Sequence, residues 1–133
     1  METRDTFISE FRGEVIGAIS SESSSEELFQ NKTLRPILKL QNDLFIESLQ
    51  NYVSKYKNEF YLFSPEKKMN FIENAIHRDI KFRNALKGMI IGLFTVDEFR
   101  EYIKNSSHLN KRMMNLLIER LQNQVQLMEI TEL

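Results

Sequence analysis

The sequence predicts an all-α protein: an antiparallel helical bundle with about three long helices, an N-terminal helix and short connecting helices. Three observations predict it. The 133 residues include only four glycines and two prolines, so the strongest helix breakers are scarce. Runs rich in Leu, Ile, Glu, Lys and Gln are long, which favours helix on propensity. Apolar residues recur every three or four positions, while the period-two alternation of a strand is rare.

The first candidate helix covers 6–20, where Ile8, Phe11, Val15 and Ile19 repeat at helical spacing. The serine-rich stretch 20–25 interrupts it, with Ser25 placed to cap a short helix through Glu26, Glu27, Leu28 and Phe29. The second long helix starts near Thr33, its expected cap, with Pro36 tolerated in the first turn. Leu38, Phe45, Leu49, Tyr52 and Tyr56 mark its buried stripe, and Gln41 interrupts it. Running to about Phe60, it would be roughly 40 Å long at 1.5 Å per residue.

Ser64 and Pro65 then signal a new start, because proline disfavours a helical residue before it and lacks the amide that a helix N-terminus leaves free. A third helix is expected over 65–93, with Met69, Ile72, Ile76, Leu86, Ile90 and Leu93 on one side. Thr95 and Glu98 spell a capping box for a short helix carrying Phe99, Tyr102 and Ile103. Ser107 is the expected cap of the last helix, whose apolar face is Leu109, Met113, Leu117, Leu121, Val125 and Met128. No repeat period appears, which argues against a solenoid.

A chain of this length is expected to form one domain, 1–133, able to bury a core without metal or disulfide staples. Its first 30 residues carry seven acidic and two basic side chains, against 12 acidic and 16 basic in the rest, so 1–30 reads as an acidic arm that either packs on the core or is partly mobile. A net charge of -1 gives no global pull toward nucleic acid, which is not an expected partner. The lack of cysteine excludes disulfides, thiolate metal sites and cysteine nucleophiles. Glu10, Arg12 and Glu14 break up the first 20 residues, and the longest apolar stretch, Met89 to Phe94, falls far short of the ~20 residues that span a bilayer. The expectation is a cytoplasmic protein with no membrane partner.

No catalytic constellation emerges. His77 follows Glu73 by four residues, near enough to share a metal or a hydrogen bond. Neither His77 nor His108 has a glutamate three positions before it, as a ferritin-like centre needs, and His-Glu-x-x-His is absent. His77-Arg78-Asp79 imitates the start of a kinase catalytic loop without its remaining parts. No phosphate-binding loop, dinucleotide fingerprint or serine elbow occurs. No catalytic residue, metal or cofactor is therefore expected.

The third helix holds one anomaly. Asp79 and Arg83 sit in the middle of its apolar stripe, four apart and of opposite charge. Arg120 and Gln124 flank the stripe of the last helix, and Gln41 and Asn42 that of the second, so polar groups from three helices are candidates to meet inside the bundle. Three readings stand: a buried ion pair that sets register, a helix break near residue 79 that leaves both side chains in solvent, or a polar pocket where an arginine holds a carboxylate or phosphate. The candidate ligand-binding residues are Asp79, Arg83, Arg120, Gln41 and His77, and the candidate ligand is a small anion.

Two further patterns have alternative readings. Ala85, Gly88 and Gly92 form a small-residue face, as do Gly13 and Gly17, which fits close helix approach, a helix end or room for a ligand. Basic residues at Lys67, Lys68, Arg78, Lys81, Arg83, Lys87, Lys111 and Arg112 point in several directions, as a solvated surface does. The aromatic concentration at Tyr52, Tyr56, Phe60, Tyr61 and Phe63 reads as core or hinge packing, or as an interface patch if exposed.

NKTLRPILKLQND, FSPEKK, FRNALKGMIIGLFT and LNKRMMNLLIERL carry a resemblance that extends over nearly the whole chain. With them the sequence resembles a small all-helical family of Bacteroidetes proteins to which no motif chemistry is attached. Some similar sequences bear a glyoxalase label. Such enzymes use strand-rich paired modules with His and Glu metal ligands, which a helical chain with two histidines does not supply. The expected function is protein–protein interaction or self-association as a homo-oligomer. The alternative is a ligand-binding or enzymatic bundle with an internal polar pocket around Asp79 and Arg83.

Overall fold

The computed structural model of the chain describes residues 2–17, 20, 22–56 and 59–125. Among them every regular element is helical: α1 (Glu2–Arg12), α2 (Ser25–Phe29), a π-helical turn (Gln30–Leu34), α3 (Arg35–Leu40), α4 (Asn42–Ser54), a 3-10 turn (Glu59–Leu62), α5 (Pro65–Arg78), α6 (Ile80–Ile91), α7 (Val96–Lys104) and α8 (Ser106–Gln122). No described helix is long and apolar enough to cross a membrane.

The all-helical expectation holds, but two of the expected long helices are broken. The one predicted over 33–60 is interrupted at Gln41, whose backbone (φ -89, ψ 5) leaves the helical region, and α4 stops at Ser54. Thr33 caps nothing. It lies inside the π turn, which joins α2 to α3 without a gap. The helix predicted over 65–93 breaks at Asp79, extended at ψ 99, so that α5 and α6 are separate.

Local signals fared better. The Ser64 hydroxyl accepts from the Lys67 amide at 3.2 Å with Pro65 in the first turn, and Thr95 and Glu98 form the reciprocal capping box. Ser24, not Ser25, caps α2, accepting from the Glu27 amide at 3.1 Å. Ser107 lies inside α8, and Asn105 occupies the cap position.

Gly13, at φ 83, stops α1 eight residues short of the expected end, in a conformation that favours glycine. Gly17, at φ 108, lies against the π turn, where the Ile16 amide donates to the Asn31 carbonyl at 3.0 Å. A Cβ at Gly17 would come within 2.7 Å of the Asn31 side chain. The small face of α6 is not a close helix approach: Ala85 is exposed, nothing lies within 4 Å of a Cβ at Gly88, and Gly92 ends the helix.

One cluster of buried apolar side chains runs from Phe29 in α2 to Val125, and α5 packs on both α6 and α8 within it. The predicted stripe of α8 is buried from Leu109 through Leu121, with Val125 beyond it; Met128 lies outside the described residues. The aromatic concentration is mainly core: Tyr52 stacks on Phe82 at 4.1 Å between ring centres, and Phe60 meets Phe71 edge-on at 5.3 Å. These rings fix the 3-10 turn and the α5–α6 joint to α4.

Candidate functional site

The break at residue 79 is made by its own side chain. An aspartate can satisfy an amide that a new helix leaves free. Asp79 Oδ1 accepts from the Phe82 amide at 3.1 Å, starting α6, and Oδ2 accepts from the Tyr52 hydroxyl at 3.0 Å. The Phe82 amide, then the Tyr52 hydroxyl, hold the Asp79 carboxyl below its ordinary value. Burial, with hydrogen bonds to Tyr56 and Asp79, pushes the Tyr52 hydroxyl well above its own. A carboxylate stabilised as an anion is a weak base, and a phenol held protonated is a weak nucleophile. The pair acts as a structural joint.

Open clefts flank that joint. One, of about 610 Å³, is lined by Tyr56, Phe71 and Ile80 with Arg78 and Lys81; the other, of about 330 Å³, by Asn51, Lys55, Phe82 and Met89. Tyr52 and Asp79 line both.

Arg83 is not the partner of Asp79. Its Nη1 donates to the His77 carbonyl at 3.1 Å, tying the start of α6 back to the last turn of α5. Of the readings, the ion pair fails and the helix break holds, but the two side chains are half-buried and make separate helix-end contacts instead of lying free in solvent. Arg83 and His77 line a different groove of about 280 Å³, with Lys87 of α6 and Ser107, Asn110 and Lys111 of α8.

The remaining candidates serve the α3–α4 joint. Gln41 donates to the Met89 carbonyl at 3.1 Å. Arg120 donates to Asn42 Oδ1 at 3.2 Å, and Asn42 and Gln124 exchange hydrogen bonds of 2.8 and 2.7 Å. Burial, and then the charge of Arg35, lower the Arg120 guanidinium from the usual arginine value. Polar groups at the start of α4 and the end of α8 thus meet, but Asp79 and Arg83 do not join them, so two of the three expected sets come together. Of the five candidates, Arg83 and His77 line one groove together.

Sequence reasoning missed the most heavily bonded carboxylate. Besides its capping-box bond from the Thr95 amide at 2.8 Å, Glu98 accepts from Arg12 through both oxygens, the Nη2 contact being 2.7 Å, and from the Thr33 hydroxyl at 2.7 Å. Burial works to raise its pKa; the bonds from Arg12, Thr95 and Thr33 outweigh burial and leave the carboxyl below its ordinary value. The capping-box motif located Glu98. Nothing local could pair it with Arg12, 86 residues away.

That network turns α1 inside out. Arg4 donates to the Phe94 and Gly92 carbonyls at 2.9 and 3.0 Å, Arg12 to the Leu93 carbonyl at 3.1 Å, and Asp5 accepts from the Val96 amide. The charged side of α1 therefore holds the protein, and only Ile8 among its apolar residues is buried. Phe7 and Phe11, stacked at 5.7 Å, remain 64% and 59% exposed. The sequence placed Phe11 and Val15 with Ile8 on a core-facing stripe; both are exposed, and Ile19 lies outside the described residues.

Among the described residues, no group of three or more His, Asp or Glu side chains is placed to hold a metal ion. No protein-family model, curated protein or solved structure matches the chain.

Proposed function

We propose that this is a small cytoplasmic helical protein that acts by self-association, an antiparallel bundle pairing with a second copy through the outward face of α1. The observation that carries this reading is the stacked Phe7–Phe11 pair, presented to water by a helix whose Arg4, Asp5 and Arg12 side chains bond the protein. A helix normally buries its apolar side, and paired exposed aromatics mark association surfaces.

A second copy fits this face. Thr3 and Thr6, exposed on the same helix, are uncharged, and Glu10 is an exposed charge beside the rings. Phe7 and Phe11 are one turn apart, so a two-fold axis between them sets one pair of rings on the other. Four rings, at roughly 150–250 Å² each when fully buried, fall short of the about 1,200 Å² of a standard stable interface. The dimer is therefore weak and concentration-dependent.

Sedimentation velocity across a concentration series tests this. The wild-type chain should shift from monomer to dimer, and Phe7→Ser/Phe11→Ser should remain monomeric with an unchanged melting temperature. A wild-type chain that stays monomeric up to millimolar concentration would end the proposal.

A second reading, a ligand-binding bundle, is favoured by the cleft beside Asp79, where Arg78 and Lys81 stand next to Tyr56 and Phe71. A stoichiometric anion retained in native mass spectrometry and lost on denaturation would support it.

A further inference from the structure

We propose that the groove between the end of α5, α6 and the start of α8 binds the phosphate group of a small phosphorylated molecule. Three helices bring His77, Arg83, Lys87 and Lys111 to it, and no carboxylate lines it. Among the described residues, none of Arg83, Lys87 and Lys111 forms an ion pair. Cations gathered without a counter-charge repel one another, and an anion in the groove removes that repulsion.

The lining is also set up to donate. Arg83 is half-buried and fixed through Nη1 on the His77 carbonyl, which leaves most of its five N–H donors for a ligand. Asn110 has its oxygen engaged by the Tyr102 hydroxyl at 2.6 Å, so its NH2 is the group left to bond. Ser107 brings a hydroxyl from the first turn of α8, where no side chain caps the free amides. Lysines, an arginine, an amide NH2 and a hydroxyl suit a ligand group made only of acceptors, and a phosphate dianion has more acceptor sites than a carboxylate.

The size favours a small molecule. At about 280 Å³ the groove is just below the size of drug-sized ligand sites, roughly 300–1,000 Å³. No Phe, Tyr or Trp ring lines it to stack bases, as single-stranded nucleic-acid sites use. No α1 residue lines it either, so its test is independent of the α1 face.

Isothermal titration of the full chain with inorganic pyrophosphate at low salt tests the proposal. The expected result is saturable one-to-one binding, weakened about tenfold or more by Arg83→Gln and by Lys111→Gln. Lys104→Gln, an exposed change outside the groove, should leave affinity unchanged. Lys111 is exposed, so its variant reports on binding even if Arg83→Gln disturbs the α5–α6 joint. No saturable heat, or equal affinity in the Lys111→Gln variant, would overturn the assignment. Two other results would overturn it by naming another ligand: a twelve-nucleotide RNA that binds more tightly than pyrophosphate through the same residues, or attachment to phosphatidic acid vesicles that pyrophosphate does not displace.

Discussion

Helices α1 and α8 are both amphipathic, yet they join the protein by opposite means. α8 buries Leu109, Met113, Leu117 and Leu121 in the common core, and its polar residues face outward or bond at its edges. α1 contributes Ile8 alone, outside that core cluster, and is held by Arg4, Asp5 and Arg12. Hydrophobic burial is non-directional and spread over many contacts. A charged clamp is directional and concentrated in a few atoms, so one substitution should release it. That difference explains how a helix stays attached while presenting its aromatic side to water.

The largest expected effect comes from breaking the clamp. Glu98→Ala removes half of the capping box and leaves the Arg12 side chain, 7% exposed, without its carboxylate. Removing one partner of such a pair costs about 3–5 kcal/mol. Hydrogen exchange should show the α1 amides losing protection while those of α8 keep theirs. Equal loss in both helices would show that α1 is part of the core and would erase the distinction.

A smaller effect follows from pH. The folded-state pKa of Glu98 is depressed from its ordinary 4.5, so its contribution is fully present above about pH 4.5 and is lost as pH falls through the lower folded value. Asp79 has the same sign, from an ordinary 3.8, and acts on the α5–α6 joint. Acidification below pH 4.5 should therefore release α1, and below pH 3.8 should also loosen that joint. Glu98→Gln should abolish the acid-dependent part at α1 and leave that of Asp79 in place.

The smallest effect sharpens the comparison from the other side. Gly88 lies within α6, and a Cβ added there would meet nothing within 4 Å, so Gly88→Ala should stabilise the body by about 0.5–1 kcal/mol. A raised urea midpoint with unchanged opening of α1 is the expected outcome. A loss of stability would mean that the small face of α6 is packed after all.

What was legible in the sequence was local. Ser64–Pro65, the Thr95–Glu98 box and the α8 stripe could be read because cap, proline and period act within one or two turns. The break at Gln41 was not read, since the apolar spacing continues across it, and a break near residue 79 was one of three readings of the Asp79–Arg83 anomaly. Each left a trace, a polar residue standing on an otherwise apolar stripe, and at Asp79 that residue is a good N-cap. The candidate residues on either side of that break were found, but their partners were not: the aspartate bonds Tyr52, and the arginine bonds a backbone carbonyl. The inversion of α1 was illegible, because it depends on Arg12 reaching Glu98 across 86 residues and on Gly13 ending the helix early.

The most direct measurement of self-association through α1 uses the absence of cysteine in the chain. Ser9→Cys, exposed on α1, carries a single spin label for pulsed dipolar spectroscopy. Ser9 points away from the ring pair, so helices that pack at 8–10 Å should place two such labels at a well-defined distance, on the order of 30 Å. Pairing through α1 predicts that distance in concentrated samples, fading on dilution and absent with Phe7→Ser/Phe11→Ser. A concentrated sample in which the Ser9→Cys labels show no intermolecular coupling would contradict it.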